Sequence, residues 1–332
     1  MPRNLITDVV GVRVGHAGDT RLGSGTTAII FDEPAVAAVD VGGGGPGTRE
    51  SALLDPAATV ERIDAITLSG GSAFGLDAAS GVQAWLREQG RGFRVREALV
   101  PIVPGAILFD LLNGGDKGWD RYAPYREFGY QAAASAGMDF ALGSVGAGLG
   151  ATTVDLKGGA GSASAVTPDG ITVGAIAMVN AVGSAVIDGG PYFWAGAYER
   201  DGEFGGHGLP AKVDPKALAF RGKGSGPGTN TTLVVVATDA ALTKPQAQRV
   251  AVMAQDGFAR ALRPVHTPLD GDIVFAAATC KRPLADPIYG LAQLGDLAAD
   301  VVARAIARGV YEATALPFAD ALPAWRDRFK DR

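Results

Sequence analysis

Arg221–Asp239 runs RGKGSGPGTNTTLVVVATD, and the way its two halves join decides how the rest of the chain is understood. Gly, Ser, Pro and Lys give the first half no regular structure and leave its backbone open to unusual dihedrals. After Asn230-Thr231-Thr232 comes Leu233–Ala237, an unbroken apolar run with no solvent face, which is the pattern of a buried strand. A hydroxyl residue therefore stands where a loose loop enters a core strand. Two readings fit: a plain loop-to-strand junction, or a loop that is cut so that Thr231 becomes a new N-terminus.

Outward from that junction, composition narrows the field. A chain of 332 residues, 47% hydrophobic and with 48 glycines, is long enough to bury a substantial core and is rich in tight turns. The formal charge of −5 is spread along the chain without a basic stripe, which argues against nucleic acid as a partner. Cys280 is the single cysteine, so no disulfide framework or cysteine metal cage is expected. His16, His207 and His266 are scattered and none has a second His at ligand spacing. No metal or organic cofactor is implied. The N-terminus lacks the apolar core of a signal peptide and no run reaches membrane-spanning length, so a cytoplasmic protein without a membrane partner is expected.

Upstream of the junction, Val9–Val14, Thr26–Phe31, Val36–Val41, Ile63–Leu68 and Leu99–Val103 have strand character. The tract Gly42–Gly47 lacks the Lys-Ser/Thr ending of a phosphate loop and is expected to be a close-packed turn. A helix is expected from Ser72, as its cap, to Gly90, and its free N–H groups suit an anion or carboxylate. Gly129–Gly137 is expected to be a small-residue helix. Lys157 lies in the Gly/Ala/Ser/Thr-rich stretch Val145–Val166, either as a partly buried cation near chemistry or as an exposed hairpin lysine. Ile171–Val179 is a strand closed by Asn180, which either opens a turn or aims an N–H at a reacting carbonyl. The aromatic, irregular segment Pro191–Arg221 is expected to wall a pocket.

Downstream, a Thr243-capped helix, the turn His266–Asp272, the strand Ile273–Ala278 and a long helix over 291–313 follow, with a peripheral charged tail. Sheets covered by helices in one domain, residues 1–332, are expected. For chemistry, GxSxG at a strand–helix elbow is missing, and Thr231 remains. A threonine hydroxyl needs a base. A free α-amine on Thr231, with a reference pKa of about 7.7–8.0, would be one. The hydroxyl's attack on the Asn230 carbonyl would produce that amine. The sequon Asn230-Thr231-Thr232 has no secretion signal to make it relevant. Asp270 and Asp272 bracket a glycine and are either a simple turn or a pair that orients the nucleophile.

GTNTTLVVVATDAALTKPQAQR and PVHTPLDGDIVFAAAT, together with ITDVVGVRVGHA, DVGGGGPGTRE and ITLSGGSAFGLDAA, resemble the L-aminopeptidase/D-esterase family, to which β-aminopeptidases and nylon-oligomer hydrolases are related. The resemblance runs from about residue 5 to 315. It implies an α/β protein: a four-layer α/β/β/α sandwich of the N-terminal-nucleophile hydrolases. Such a protein is self-processed into a large chain, 1–230, and a small chain, 231–332, and assembles as a homo-oligomer, a tetramer of processed pairs. By position it implies Thr231 as nucleophile, cleavage after Asn230, Asp270 and Asp272 as the acidic pair, and Asn180 as an oxyanion holder. Two departures stand out. Phe109-Asp110 occupies the place of a Tyr-Asp step, and Asp155 falls at an expected lysine with Lys157 two residues later. The primary expectation is an aminopeptidase acting on short peptides or amides through an acyl-enzyme on Thr231. The alternatives are a nylon-oligomer (6-aminohexanoate oligomer) endo-hydrolase, an ornithine-type acyltransferase, and a non-catalytic Gly-rich assembly protein.

Overall fold

Thr231–Ala240 forms a strand with every residue buried, and the sheet is built around it. The computed structural model describes residues 2–223 and 230–329. In chain order the strands are β1 (Val12–Asp19), β2 (Ser24–Val41), β3 (Thr48–Arg49), β4 (Arg62–Ser69), β5 (Phe93–Val95), β6 (Ala98–Val100), β7 (Gly105–Ile107), β8 (Ala160–Val166), β9 (Thr172–Asn180), β10 (Thr231–Ala240) and β11 (Ile273–Arg282). The helices are α1 (Ala78–Glu88), α2 (Tyr125–Ala134), α3 (Lys244–Ala254), α4 (Asp256–Ala261), α5 (Tyr289–Tyr311) and α6 (Trp325–Arg328). The main sheet runs β3-β7-β4-β2-β11-β10-β9-β8, with β1 also paired to β2, while β5 and β6 form a separate ribbon. β10 lies antiparallel to β9 and parallel to β11.

Successive residues of β10 point to opposite faces. Leu233 and Val235 join Ile176, Met178, Ile273 and Phe275 in one core, where they meet Ile29, Phe31, Ile66 and Leu68 of β2 and β4. Val234 and Val236 face the other way, against Val250, Phe258, Val301 and Val302 of α3–α5. Both faces are covered by apolar groups, so alternation is absent from the sequence of this strand. On the far side of β2 and β4, Ile30 and Ala65 pack with Val82 and Leu86 of α1 and with Ala132 and Ala133 of α2.

β2 merges the two short strands expected at Thr26–Phe31 and Val36–Val41. Its pairing with β4 shifts register between Ile30 and Ala35, where Asp32, Glu33 and Pro34 are exposed. Pro34 has no N–H to give to a ladder, so it sits at this irregularity, and the strand continues past it to pair with β11. The stretch around Leu99 also differs from expectation: β6 is half of an exposed ribbon, and 101–104 is not a strand. Residues 129–137 are only partly helical, because α2 begins earlier and ends at Ala134.

Ser72 does not cap α1. It stands at φ +53° in a 3-10 turn, Ser72–Asp77, and α1 begins only at Ala78. The preceding N–H, of Gly71, donates to Asp110 Oδ1 at 2.8 Å, so the carboxylate at this helix approach is the protein's own. The segment 191–221 and the tail are also placed differently. Phe193 and Phe204 are buried in the core, and Phe193 stacks on Trp325 with ring centroids 5.6 Å apart. Trp325 and Phe329 give the tail an apolar anchor, so it is a packed element rather than a peripheral one. Glu203 pins the same excursion to α5 through Arg304, an ion pair shielded from water on both sides.

Candidate active site

The first residue of β10 is placed by three chain segments. Thr231 is buried and pairs across the sheet with Asn180, the last residue of β9, while Asn230 bridges to Asp270. The Thr231 hydroxyl donates to the carbonyl oxygen of Asn230, and the Gly271 N–H donates to the same oxygen at 2.8 Å. One carbonyl thus receives a hydroxyl and a backbone N–H. Only glycine fits at 271: a Cβ there would lie 2.6 Å from Thr231 Oγ1 and 2.7 Å from the Gly45 carbonyl oxygen.

Asp270 and Asp272, both buried, stand on either side of that glycine. Asp270 Oδ1 accepts from Val182 N–H at 3.1 Å, and its Oδ2 accepts from the Thr267 hydroxyl at 2.8 Å and the Thr267 N–H at 3.2 Å. Asp272 Oδ1 accepts from Thr232 N–H at 2.8 Å, and Oδ2 from the backbone N–H of His266 at 3.1 Å. Burial, reinforced by the charge of Asp272, pushes the Asp270 carboxyl up to about 6. The glycine tract is the mould of this turn. Gly42 and Gly43 donate to the Asp272 carbonyl at 3.0 and 3.1 Å, and Gly45 to that of Asp270 at 2.7 Å. A Cβ at Gly43 would collide with the backbone of both acids, which is why the tract carries no side chains there. It is a close-packed loop, as expected.

Asn180 has its side-chain amide engaged at both ends. Oδ1 accepts from Thr152 N–H at 3.0 Å and Lys223 Nζ at 3.1 Å, and Nδ2 donates to the Phe109 carbonyl at 3.0 Å. The Phe109-Asp110 step therefore does lie beside Asn180, but it offers a carbonyl acceptor in place of a hydroxyl. Asp110 is buried, and burial raises its carboxyl pKa. Asp155 is not in this group: it accepts from the Ser184 hydroxyl at 3.0 Å and the Thr153 hydroxyl at 3.2 Å.

Two lysines remain, and they divide the work between them. Lys157 is buried, not an exposed hairpin lysine, and Nζ donates to the carbonyls of Gly148, Ala151 and Gly158 at 3.1, 2.8 and 2.7 Å. Those three bonds use every proton of an ammonium, so Lys157 closes the turn that carries Thr152. Burial lowers its pKa to about 7. Lys223 donates to Asn180 and, at 3.3 Å, to the Thr152 carbonyl, so among the described residues it has two acceptors. Burial brings it down to about 8, with Asp270 and Asp110 opposing that fall. Lys157, Lys223, Phe109, Leu112, Leu316 and Phe318 line a cavity of about 620 Å³. Lys223 escaped the sequence reading because it belongs to a segment of turn-forming residues, with nothing local to tie it to Asn180.

Because the amine of Lys157 binds its proton more weakly folded than unfolded, its contribution to stability grows as pH rises from about 7 toward the ordinary lysine value of 10.5. The gap in unfolding free energy between wild type and Lys157→Met is expected to widen in favour of wild type between pH 7 and pH 9, at about 1 kcal/mol per pH unit. Thermal melts of both proteins across that range check it, and a constant gap counts against the lowered pKa.

Among the described residues, no group of three or more His, Cys, Asp or Glu side chains is placed to hold a metal. No helix there is long and apolar enough to cross a membrane. The model of Peptidase family S58 matches residues 4–322. This chain belongs to that family. An uncharacterized aminopeptidase of Mycobacterium bovis is 44% identical over 98% of both chains. A 6-aminohexanoate-oligomer endohydrolase of Kocuria sp. is 28% identical, over 82% of this chain and 74% of its own. Among solved structures, the L-aminopeptidase D-Ala-esterase/amidase of Ochrobactrum anthropi, a variant of the Ntn hydrolase fold, superposes with a TM-score of 0.69 at 19% identity, covering 99% of this chain and 93% of its own. The S58 member described here is thus a hydrolase with the mixed α/β fold of those neighbours, and a non-catalytic assembly protein is set aside.

Proposed function

We propose that this S58 hydrolase cuts itself between Asn230 and Thr231 and then acts as an aminopeptidase on short peptides or amides, with Thr231 as nucleophile. The observation that carries the reading is the convergence of the Thr231 hydroxyl and the Gly271 N–H on one carbonyl, that of Asn230. Attack by Oγ on the Asn230 carbonyl carbon closes a five-membered ring, and negative charge develops on an oxygen already held by an N–H. The hydroxyl proton passes to the nitrogen as the C–N bond breaks, so the nitrogen leaves as the Thr231 amine and an ester remains on Oγ. Water hydrolyses the ester, giving an Asn230 carboxylate and a free Thr231. The main sheet, with helices packed outside it, then supplies the inner layers of an α/β/β/α sandwich, one domain in two chains.

In turnover the new amine takes the hydroxyl proton as Oγ attacks the substrate amide, and the departing amine receives that proton. Water releases the acyl group from Oγ. Asp270 and Asp272, fixed beside the new terminus, balance its charge and hold it in place. Asn180, the strand partner of Thr231, presents its remaining amide proton to the substrate oxyanion. Lys223 fixes the other end of that amide. Lys223→Met is expected to lower kcat about 10²-fold with little change in KM and a small change in Tm, since its loss disorders a donor used in the transition state. Steady-state kinetics on an amino-acid anilide would show this, and an unchanged kcat removes Lys223 from the machinery.

The test of the whole reading is intact mass and N-terminal sequencing of the purified protein. Fragments 1–230 and 231–332 are expected, the smaller beginning Thr-Thr-Leu-Val. Peptide, amino-acid amide and 6-aminohexanoate oligomer substrates, each with and without an added amine acceptor, then separate aminopeptidase, oligomer endo-hydrolase and acyltransferase. The similarity to the Kocuria enzyme favours including the oligomer. A homo-oligomer, a tetramer of processed pairs, is the assembly expected, and sedimentation measures it.

A further inference from the structure

His266 has no part in the scheme above, yet it is bound directly to one of its acids. The inference drawn from this rests on the proposed roles of Thr231 and the acidic pair. Two N–H groups of His266 reach Asp272 Oδ2: the backbone at 3.1 Å and ring Nδ1 at 3.0 Å. The other oxygen of the same carboxylate accepts from Thr232 N–H at 2.8 Å. One carboxylate therefore spans the imidazole and the residue next to the nucleophile. For Asp272 to accept from Nδ1, the ring must carry a proton there, so the contact selects a tautomer or the imidazolium.

The ring is held in place from several sides. His266 adopts φ +53°, a conformation that residues with a side chain seldom take. The Phe258 ring of α4 lies 5.1 Å away, and a Cβ on Gly42 would come within 2.8 Å of Nδ1. Among the described residues, Nε2 is buried without a hydrogen bond of its own, and Gln255 Oε1, also without one there, borders the same glycine. The charged groups around the ring are almost all acidic. Asp270 and Asp272 lie on its own turn, and Asp40 of β2 is joined to Gln255 by a 3.0 Å hydrogen bond. The cation Lys223 interacts electrostatically with Asp270. Burial disfavours a charge on His266, and the hydrogen bond and charge of Asp272, the nearby Gln255 backbone and Asp270 outweigh it, leaving the His266 pKa raised.

We propose that His266 is the positioning residue that decides which member of the acidic pair carries a proton: as an imidazolium it keeps Asp272 ionised and aimed at Thr232, and leaves Asp270 to take the Thr231 hydroxyl proton and return it to the leaving nitrogen during self-cleavage, before the free amine takes over that task in turnover. Two carboxylates this close to one glycine cannot share a single preference, because each charge disfavours the other. Differences between their partners separate them. Asp272 has the imidazole, while Asp270 has a neutral hydroxyl and two N–H groups.

The experiment measures self-cleavage rate and kcat/KM from pH 5 to pH 9 in wild type, His266→Ala and His266→Asn, with thermal melts at pH 8.5. Removing a positive charge beside two carboxylates raises their pKa values, so in His266→Ala the acid limb of both profiles is expected to move up by about one pH unit. At pH 6 that variant would be roughly 5-fold slower, and at pH 8.5 within about 3-fold of wild type. His266→Asn restores an N–H donor without a charge. It should recover the rate at pH 8.5 and keep the displaced acid limb. A merely structural role lowers Tm while leaving the acid limb where it was, and that result in both variants overturns the proposal. Wild type that is never cut before Thr231 sinks the Thr231 reading and the His266 role with it. Normal wild-type cleavage with an unshifted His266→Ala profile sinks the His266 role alone.

Discussion

Thr231→Ala is expected to remain a single chain of full length and to lose turnover by about 10⁴-fold or more, the scale on which removing a covalent nucleophile acts. The hydroxyl is the group that donates to the carbonyl of the preceding residue, Asn230, and alanine takes it away. Alanine keeps the backbone that pairs with Asn180 and trims a small side chain in a buried position, so the fold should survive. Thr231→Ser is the informative partner. It retains the oxygen and loses one methyl, so cutting should proceed, more slowly because the side chain turns more freely about χ1. Intact mass over a time course reads both variants. A Thr231→Ala protein that still separates into two fragments at this bond would falsify the nucleophile assignment.

Gly271→Ala has the next largest expected effect, and it acts without touching any titratable group. Its added methyl would need to occupy a point 2.6 Å from Thr231 Oγ1 and 2.7 Å from a Gly45 carbonyl oxygen. The second neighbour is backbone in a stitched turn and gives way poorly, so the loop carrying the Gly271 N–H must shift. That N–H is lost from the Asn230 carbonyl just where charge develops. Removal of one such donor costs about 10²–10³-fold in rate, roughly 2.7–4 kcal/mol. Processing of Gly271→Ala is therefore expected to slow by at least about 10²-fold. Incubation of freshly purified precursor, followed by denaturing gel, measures this, and processing at the wild-type rate would show that the donor is dispensable.

The two variants probe one contact between neighbours and one between residues 41 positions apart, and only part of this was legible beforehand. The Leu233–Ala237 run announced a strand covered on both faces, and the register of β10 bears this out. The compactness of the Gly42–Gly47 tract was also readable, as was the placement of an Asn at the end of β9. The helix start at Ser72 was not, because the N–H groups of Gly71 and Ser72 are satisfied by Asp110 and by the Leu108 carbonyl from another part of the chain. Nor was the anchoring of the tail, since Trp325 meets Phe193 only when α5 brings them together. Local pattern carries information about which faces are apolar. It carries none about which distant group satisfies a given donor.

The junction at Asn230–Thr231 shows the same division. Its sequence determined that a hydroxyl stands at the entrance to a buried strand, because β-branched residues in succession can only be accommodated with both faces covered. It also supplied Asp270 and Asp272 on either side of a glycine. Tertiary structure alone decided that the glycine's N–H and the threonine's hydroxyl meet on one carbonyl oxygen. It likewise decided that Lys223, not Lys157, touches Asn180, and that His266 is bonded to one acid and not the other. The physical reason is that a buried ammonium, imidazole or amide takes whichever acceptors the folded chain brings within about 3 Å of it, and those come from strands and turns that are remote in sequence.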